Sequence, residues 1–100
     1  MVKHVILWTL KDEYPAEQKE AIKASIKESL EGLKGKIPGL VDIQVNTGRL
    51  ESSTADLMLD ATFENAEALK GYAVHPEHVA VADEKVRPFT ATRACLDFEQ

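Results

Sequence analysis

Apolar residues recur along this chain with two different periods, and the switches between them divide it into elements. Val2 to Leu10, VKHVILWTL, is rich in β-branched and aromatic residues and stops at the charged Lys11, Asp12 and Glu13, which reads as a strand. Pro15 then takes the first helical position, and Ile22, Ile26, Leu30, Leu33 and Ile37 follow at spacings of 4, 4, 3 and 4, one apolar stripe on a long helix. Gly35 and Pro38 end that helix by freeing its last turn and removing an amide donor. In LVDIQVN the residues alternate, with Val41, Ile43 and Val45 on one face and Asp42, Gln44 and Asn46 on the other, as in a strand wet on one side. A polar loop, Gly48 to Ala55, leads to a third strand, DLMLDATFE, that places Leu57, Leu59, Ala61 and Phe63 together. Asn65 caps a short helix, AEALKGYAV, with Glu67 in its first turn. A second helical piece opens at Pro76 and runs through Val79, Val81, Ala82 and Val86 to Pro88, after which FTATRACLDF is a fourth strand.

The order β-α-β-β-α-β predicts an α+β, ferredoxin-like fold: a four-stranded antiparallel sheet with both helices on one face. Such a sheet leaves its other face open, and the first strand is apolar on both sides. His4, Ile6, Trp8 and Leu10 point one way, Val5 and Leu7 the other, as in a strand buried twice over. No element is left to cover the second face, so a second copy stacked sheet on sheet about a two-fold axis is expected, giving a homodimeric α/β barrel. Met58, Thr62, Thr90, Thr92, Ala94 and Leu96 are placed on that face, with Asp60 needing a partner there.

Composition narrows the classes of function. One hundred residues, 44% hydrophobic, make residues 1–100 a single domain with a modest core. A net charge of −5 and a pI near 5.1 argue against nucleic acid or an anionic membrane as partner, since both need a basic face. The opening apolar run is too short to span a bilayer and lacks a cleavage site, and the single cysteine, Cys95, has no intrachain mate. A soluble protein of the reducing cytoplasm is expected.

The chemistry concentrates in GYAVHPEHVAV, Gly71 to Val81. On one continuous helix His75 and His78 would share a face, as metal ligands do. Pro76 disfavours helix at the residue before it, so His75 falls in a link, Pro76 begins the next piece and the two rings diverge. No metal site and no cofactor are expected. At a helix start the dipole lowers an imidazole pKa, which makes His78 a candidate general base near pH 7. Tyr72 offers a hydroxyl that could polarise a carbonyl, and His4, on the same side of strand one as Ile6 and Trp8, could hold the His78 ring or the same ligand. The structural alternative is a helix-start histidine bonded to backbone, a core tyrosine and a paired strand histidine.

VKHVILWTLKDE and TFENAEALKGYAVHPEHVAVADEKVRPF resemble the stress-responsive dimeric α/β barrel (Dabb) family, the HPEHV core after a tyrosine and the strand-one histidine being the most specific pieces. The resemblance implies a homodimeric barrel with a cavity between sheet and helices in each subunit, for which His4, Ile6, Trp8, Ile22, Ile26, Leu59, His75, Val81 and Phe89 are the candidate ligand-binding residues. Most such proteins have no assigned activity. One plant member closes a linear polyketide by aldol condensation, and its catalytic tyrosine and histidine match Tyr72 and His78. Two of its polar pocket positions are Ile26 and Leu57 here, an aromatic one is Val81, and an aliphatic one is Trp8. Two readings follow: a barrel of unassigned activity that binds a small apolar or carbonyl-containing molecule, or a cofactor-free cyclase or lyase with His78 as base and Tyr72 as hydroxyl donor. A flavin- or haem-linked oxygenase has no motif to support it.

Overall fold

The computed structural model describes residues 1–100. The elements are β1 (Val2–Leu10), α1 (Ala16–Glu31), β2 (Leu40–Asn46), β3 (Leu57–Phe63), α2 (Ala66–Val74), α3 (Pro76–Val81) and β4 (Thr90–Glu99). A π-helical turn, Ala82–Val86, and a short 3-10 turn, Arg87–Phe89, join α3 to β4. All strand pairings are antiparallel, in the order β2-β3-β1-β4. This is the ferredoxin-like arrangement expected from the hydrophobic pattern.

The core lies between the helices and the inner sheet face. Ile6, Trp8 and Leu10 of β1, Ile43 and Val45 of β2, and Leu57, Leu59, Ala61 and Phe63 of β3 meet Ile22, Ile26 and Leu30 of α1 there. β1 and β3 bury every second side chain, as the pleat dictates.

Four local expectations need correction. Pro15 is the residue before α1, extended at φ −67° and ψ 162°, and Ala16 starts the helix. The helix also ends at Glu31, six residues before the apolar stripe does at Ile37, because i to i+3 bonds (Leu33 N–H to Leu30 O, Lys34 N–H to Glu31 O) tighten the chain into turns. Leu33 and Ile37 are still buried, so the stripe reports burial beyond the helix it began on. Val41 is exposed and Leu40 takes its place in the core, since the β2/β3 register slips between Leu40 and Asp42 and leaves Val41 as the extra residue of a bulge. Thr90 pairs with Leu10, whose side chain is buried, because the register shifts between Thr9 and Leu10; it therefore belongs to the helix side and not the open face.

The loop into β2 approaches α2 so closely that Gly39, at φ +80°, has no room for a side chain: a Cβ there would lie 2.4 Å from that of Ala68. Asn65 caps α2 through a 2.8 Å bond from the Ala68 N–H. His75 is extended at φ −66° and ψ 132°, as the following proline requires, and it separates α2 from α3.

On the opposite sheet face Val5, Leu7, Met58, Ala94, Leu96 and Phe98 form an apolar surface, by alternation with the buried positions. Leu7, Leu96 and Phe98 are 42, 63 and 40% exposed in the single chain. Asp60 finds its partner on this face in Lys3, whose Nζ lies 2.6 Å away and also donates to Thr62.

Asp56 pins the loop before β3 to the end of β1. Its carboxylate accepts from the Leu10 N–H at 2.7 Å and pairs with Arg49 at 2.7 Å, while its own N–H donates to the Trp8 carbonyl. Burial raises the Asp56 pKa, but the Leu10 N–H and Arg49 outweigh it and hold the carboxyl below its ordinary 3.8. Asp56→Ala leaves the buried Leu10 donor unsatisfied and should cost about 1–3 kcal/mol in urea unfolding at pH 7. Because the folded pKa is the lower one, this contribution is complete above pH 3.8 and fades as pH falls through the folded value; the gap between variant and wild type should close in acid.

Candidate functional site

A cavity of about 630 Å³ opens between the inner face of β1 and β4 and the layer formed by α2, α3 and the π-helical turn. Its floor is His4, Ile6, Trp8 and Leu59; Leu30, Leu69, Ala73, Ala82 and Val86 supply apolar walls, and Tyr72 and His78 stand over the floor. Arg93, Cys95 and Asp97 of β4 complete it.

The two candidate catalytic side chains meet here. Tyr72, 1% exposed, packs on Phe63 with ring centroids 4.9 Å apart and on His4 at 6.0 Å. The His78 ring stacks on Tyr72 at 4.0 Å, tilted by 32°. The buried Tyr72 hydroxyl has no hydrogen-bond partner, and buried His78 Nδ1 makes no hydrogen bond of good geometry although the ring lies close to the backbone of Ala73 and Tyr72. Burial lowers the His78 pKa, helped by the charges of His4 and Arg87, with backbone groups at Ala73 and Tyr72 acting the other way. The direction agrees with the expectation from sequence; the cause is desolvation first, not the start of the six-residue α3. Burial likewise raises the Tyr72 pKa, against a smaller opposite pull from Arg93, so the hydroxyl stays protonated. A neutral imidazole and a protonated phenol are a proton acceptor and a hydrogen-bond donor.

His4 Nδ1 bonds the Asp97 carboxylate, which stands directly across from it in the β1/β4 ladder. Cys95 Sγ lies 3.8 Å from His4 Nδ1 and 3.5 Å from Asp97 Oδ1. An imidazole, a thiol and a carboxylate thus come within 4.8 Å of one another. They already bond among themselves, and Arg93 bonds Cys95 as well, so a cation there would face a guanidinium. Burial, followed by Asp97, raises the Cys95 pKa and keeps it a thiol. Asp42 and Asp56 are engaged by Lys34 and Arg49.

Of the candidate ligand-binding residues, His4, Ile6, Trp8 and Leu59 line the cavity with Tyr72 and His78. Five others stand elsewhere. Ile22 and Ile26 are core residues of α1, which packs chiefly on β2, away from the β4 side. His75 turns outward and caps α3, its Nδ1 accepting from the Glu77 N–H at 3.1 Å. Val81 packs against the core, as does Phe89, which meets Tyr14 at 6.0 Å. Sequence reasoning missed the β4 wall, Arg93, Cys95 and Asp97, although their alternation with Thr92, Ala94 and Leu96 carried the signal.

A model of the family described as "Stress responsive A/B Barrel Domain" matches residues 2–100. The chain belongs to the Dabb family. A solved dimeric ferredoxin-like protein of unknown function from Bacteroides fragilis is 37% identical, with a TM-score of 0.90 over 99% of this chain and 95% of that one. A Dabb family protein from Mesorhizobium loti superposes with a TM-score of 0.76 at 17% identity, covering 99 and 95% of the two chains. Hydroxynitrile lyase from Passiflora edulis does so at 0.72 and 16%, covering 97 and 90%. No curated protein matches the sequence. Dabb membership and the dimeric, ferredoxin-like neighbours bring with them no specific activity. No helix is long and apolar enough to cross a membrane.

The unpartnered hydroxyl gives this Dabb cavity a simple test. Because Tyr72 Oη forms no bond, Tyr72→Phe removes a desolvated polar atom and should leave stability unchanged or raised, within about 1 kcal/mol, in place of the loss a bonded tyrosine would give. By NMR, the His78 ring should titrate below pH 6.5.

Proposed function

We propose that this protein is a homodimeric barrel that binds a small, largely apolar, carbonyl-containing molecule in the cavity of each subunit. The observation that carries the reading is the pair of buried, unsatisfied polar atoms, Tyr72 Oη and His78 Nδ1, on residues that line one 630 Å³ cavity with apolar walls. Leaving such atoms unbonded costs stability, and a ligand acceptor and donor would satisfy them. The dimer is proposed from the apolar open face and from the dimeric state of the Bacteroides fragilis relative. The reducing cytoplasm is the proposed compartment, with Cys95 free.

A second reading has its own support. Stacked rings 4.0 Å apart, one a neutral base and the other a protonated hydroxyl, suit abstraction of a proton next to a carbonyl, with His78 as general base and Tyr72 stabilising the enolate oxygen. The fold is shared with a hydroxynitrile lyase and with a putative monooxygenase from Nitrosomonas europaea, so it does not choose a reaction.

A panel of ketones, carboxylic acids and thioesters should contain members that raise the melting temperature, a ligand at a hundred times its Kd adding about 2.7 kcal/mol. Tyr72→Phe should weaken that shift, and a panel without effect would remove the binding reading. Turnover of a panel member, lost in a folded His78→Ala variant, would establish the enzyme. Wild type should elute as a dimer in gel filtration and Leu96→Asp as a monomer; a monomeric wild type refutes the barrel.

A further inference from the structure

Charge is unevenly distributed around the cavity. Its lining holds three cationic side chains, Lys70, Arg87 and Arg93, and one carboxylate, Asp97. Asp97 is taken by His4. Arg87 is paired with Asp83, and Lys70 stands 3.9 Å from Glu67. Of the three arginines in the chain, Arg49 and Arg87 have carboxylate partners and Arg93 forms no ion pair. In a protein of net charge −5, where acidic groups outnumber basic ones, this guanidinium bonds the neutral Cys95 thiol and has no counter-charge of its own on the cavity wall.

Its position is fixed by the ladder. Arg93 stands across from Trp8, one step along the same face from Cys95 and two from Asp97. Its charge reaches the Tyr72 hydroxyl, where it favours the phenolate against burial. A guanidinium presents a planar fork of N–H donors matched to the two oxygens of a carboxylate. The same cavity is lined by Tyr72 and His78, whose unpartnered hydroxyl and imidazole nitrogen suit a carbonyl oxygen and its α-proton.

We propose that the cavity selects an oxo acid, a carbonyl compound that also bears a carboxylate, with Arg93 gripping the carboxylate while Tyr72 and His78 meet the carbonyl. This rests on the ligand-binding reading above and adds a substrate class and a specificity-determining residue. Arg93 is exposed in the single chain and bears no packing role in the core, so it can be replaced without loss of the fold.

The test is calorimetric titration of 4-oxo acids of graded chain length against their methyl esters, which keep the ketone and lose the charge. Wild type should bind the acid at least about tenfold more tightly than the ester of equal length. Arg93→Gln should erase that preference through loss of acid affinity, and Arg93→Lys should retain part of it. If Arg93→Gln melts early, Arg93→Lys decides, with a reduced acid preference and unaltered melting expected. Equal affinity for acid and ester in wild type, or a preference that survives in Arg93→Gln, overturns the role of Arg93 while ester binding leaves the cavity reading standing. Binding of neither series overturns both.

Discussion

The break at His75–Pro76 is the constraint on which the cavity depends. In an uninterrupted α-helix, residues six apart lie about 9 Å apart along the axis and roughly 240° around it, so Tyr72 and His78 could not touch. Proline forbids helix at His75, which becomes extended and caps the next turn with its own ring. The chain changes direction there, and the two side chains arrive face to face at 4.0 Å. His75 thus acts through backbone geometry, whereas His78 faces the cavity.

That geometry has an energetic consequence. Stacking the rings inside the helical layer removes water from the Tyr72 hydroxyl and His78 Nδ1 without supplying a protein partner. Both pKa shifts have burial as their first cause, and they run in opposite chemical senses, the imidazole toward its neutral form and the phenol toward its protonated form. Phe63, against which Tyr72 packs, is apolar and fully buried, and the Tyr72 hydroxyl and His78 Nδ1 are not hydrogen-bonded to the His4–Asp97–Cys95 cluster that lines the same cavity.

β4 makes the inner sheet face asymmetric. β2 and β3 present apolar residues to α1 and α2, and β1 does so except at His4. β4 presents Arg93, Cys95 and Asp97 to the cavity, where they stay exposed in the single chain, which is why polar side chains are tolerated there. The outer face is the reverse: Ala94, Leu96 and Phe98 of β4 continue the apolar strip of Val5 and Leu7 from β1. One strand therefore contributes the polar wall of the cavity and the apolar surface opposite, by period-two alternation alone.

Local periodicity and turn chemistry determined the element order, the ferredoxin-like topology, the Asn65 cap and the separation of His75 from His78, because each depends on residues within a few positions of one another. The two-sided apolar character of β1 was equally legible. Tertiary structure decided what depends on register between distant segments: the bulge that exchanges Val41 for Leu40, the slip that turns Thr90 inward, and the pairing of β4 with β1 that brings Asp97 to His4 and Arg93 beside Trp8. Ile22, Ile26, Val81 and Phe89 were attractive ligand positions because an apolar stripe looks the same whether it packs on a strand or borders a cavity. Only the placement of α1 over β2, leaving the β1/β4 side open, separates the two.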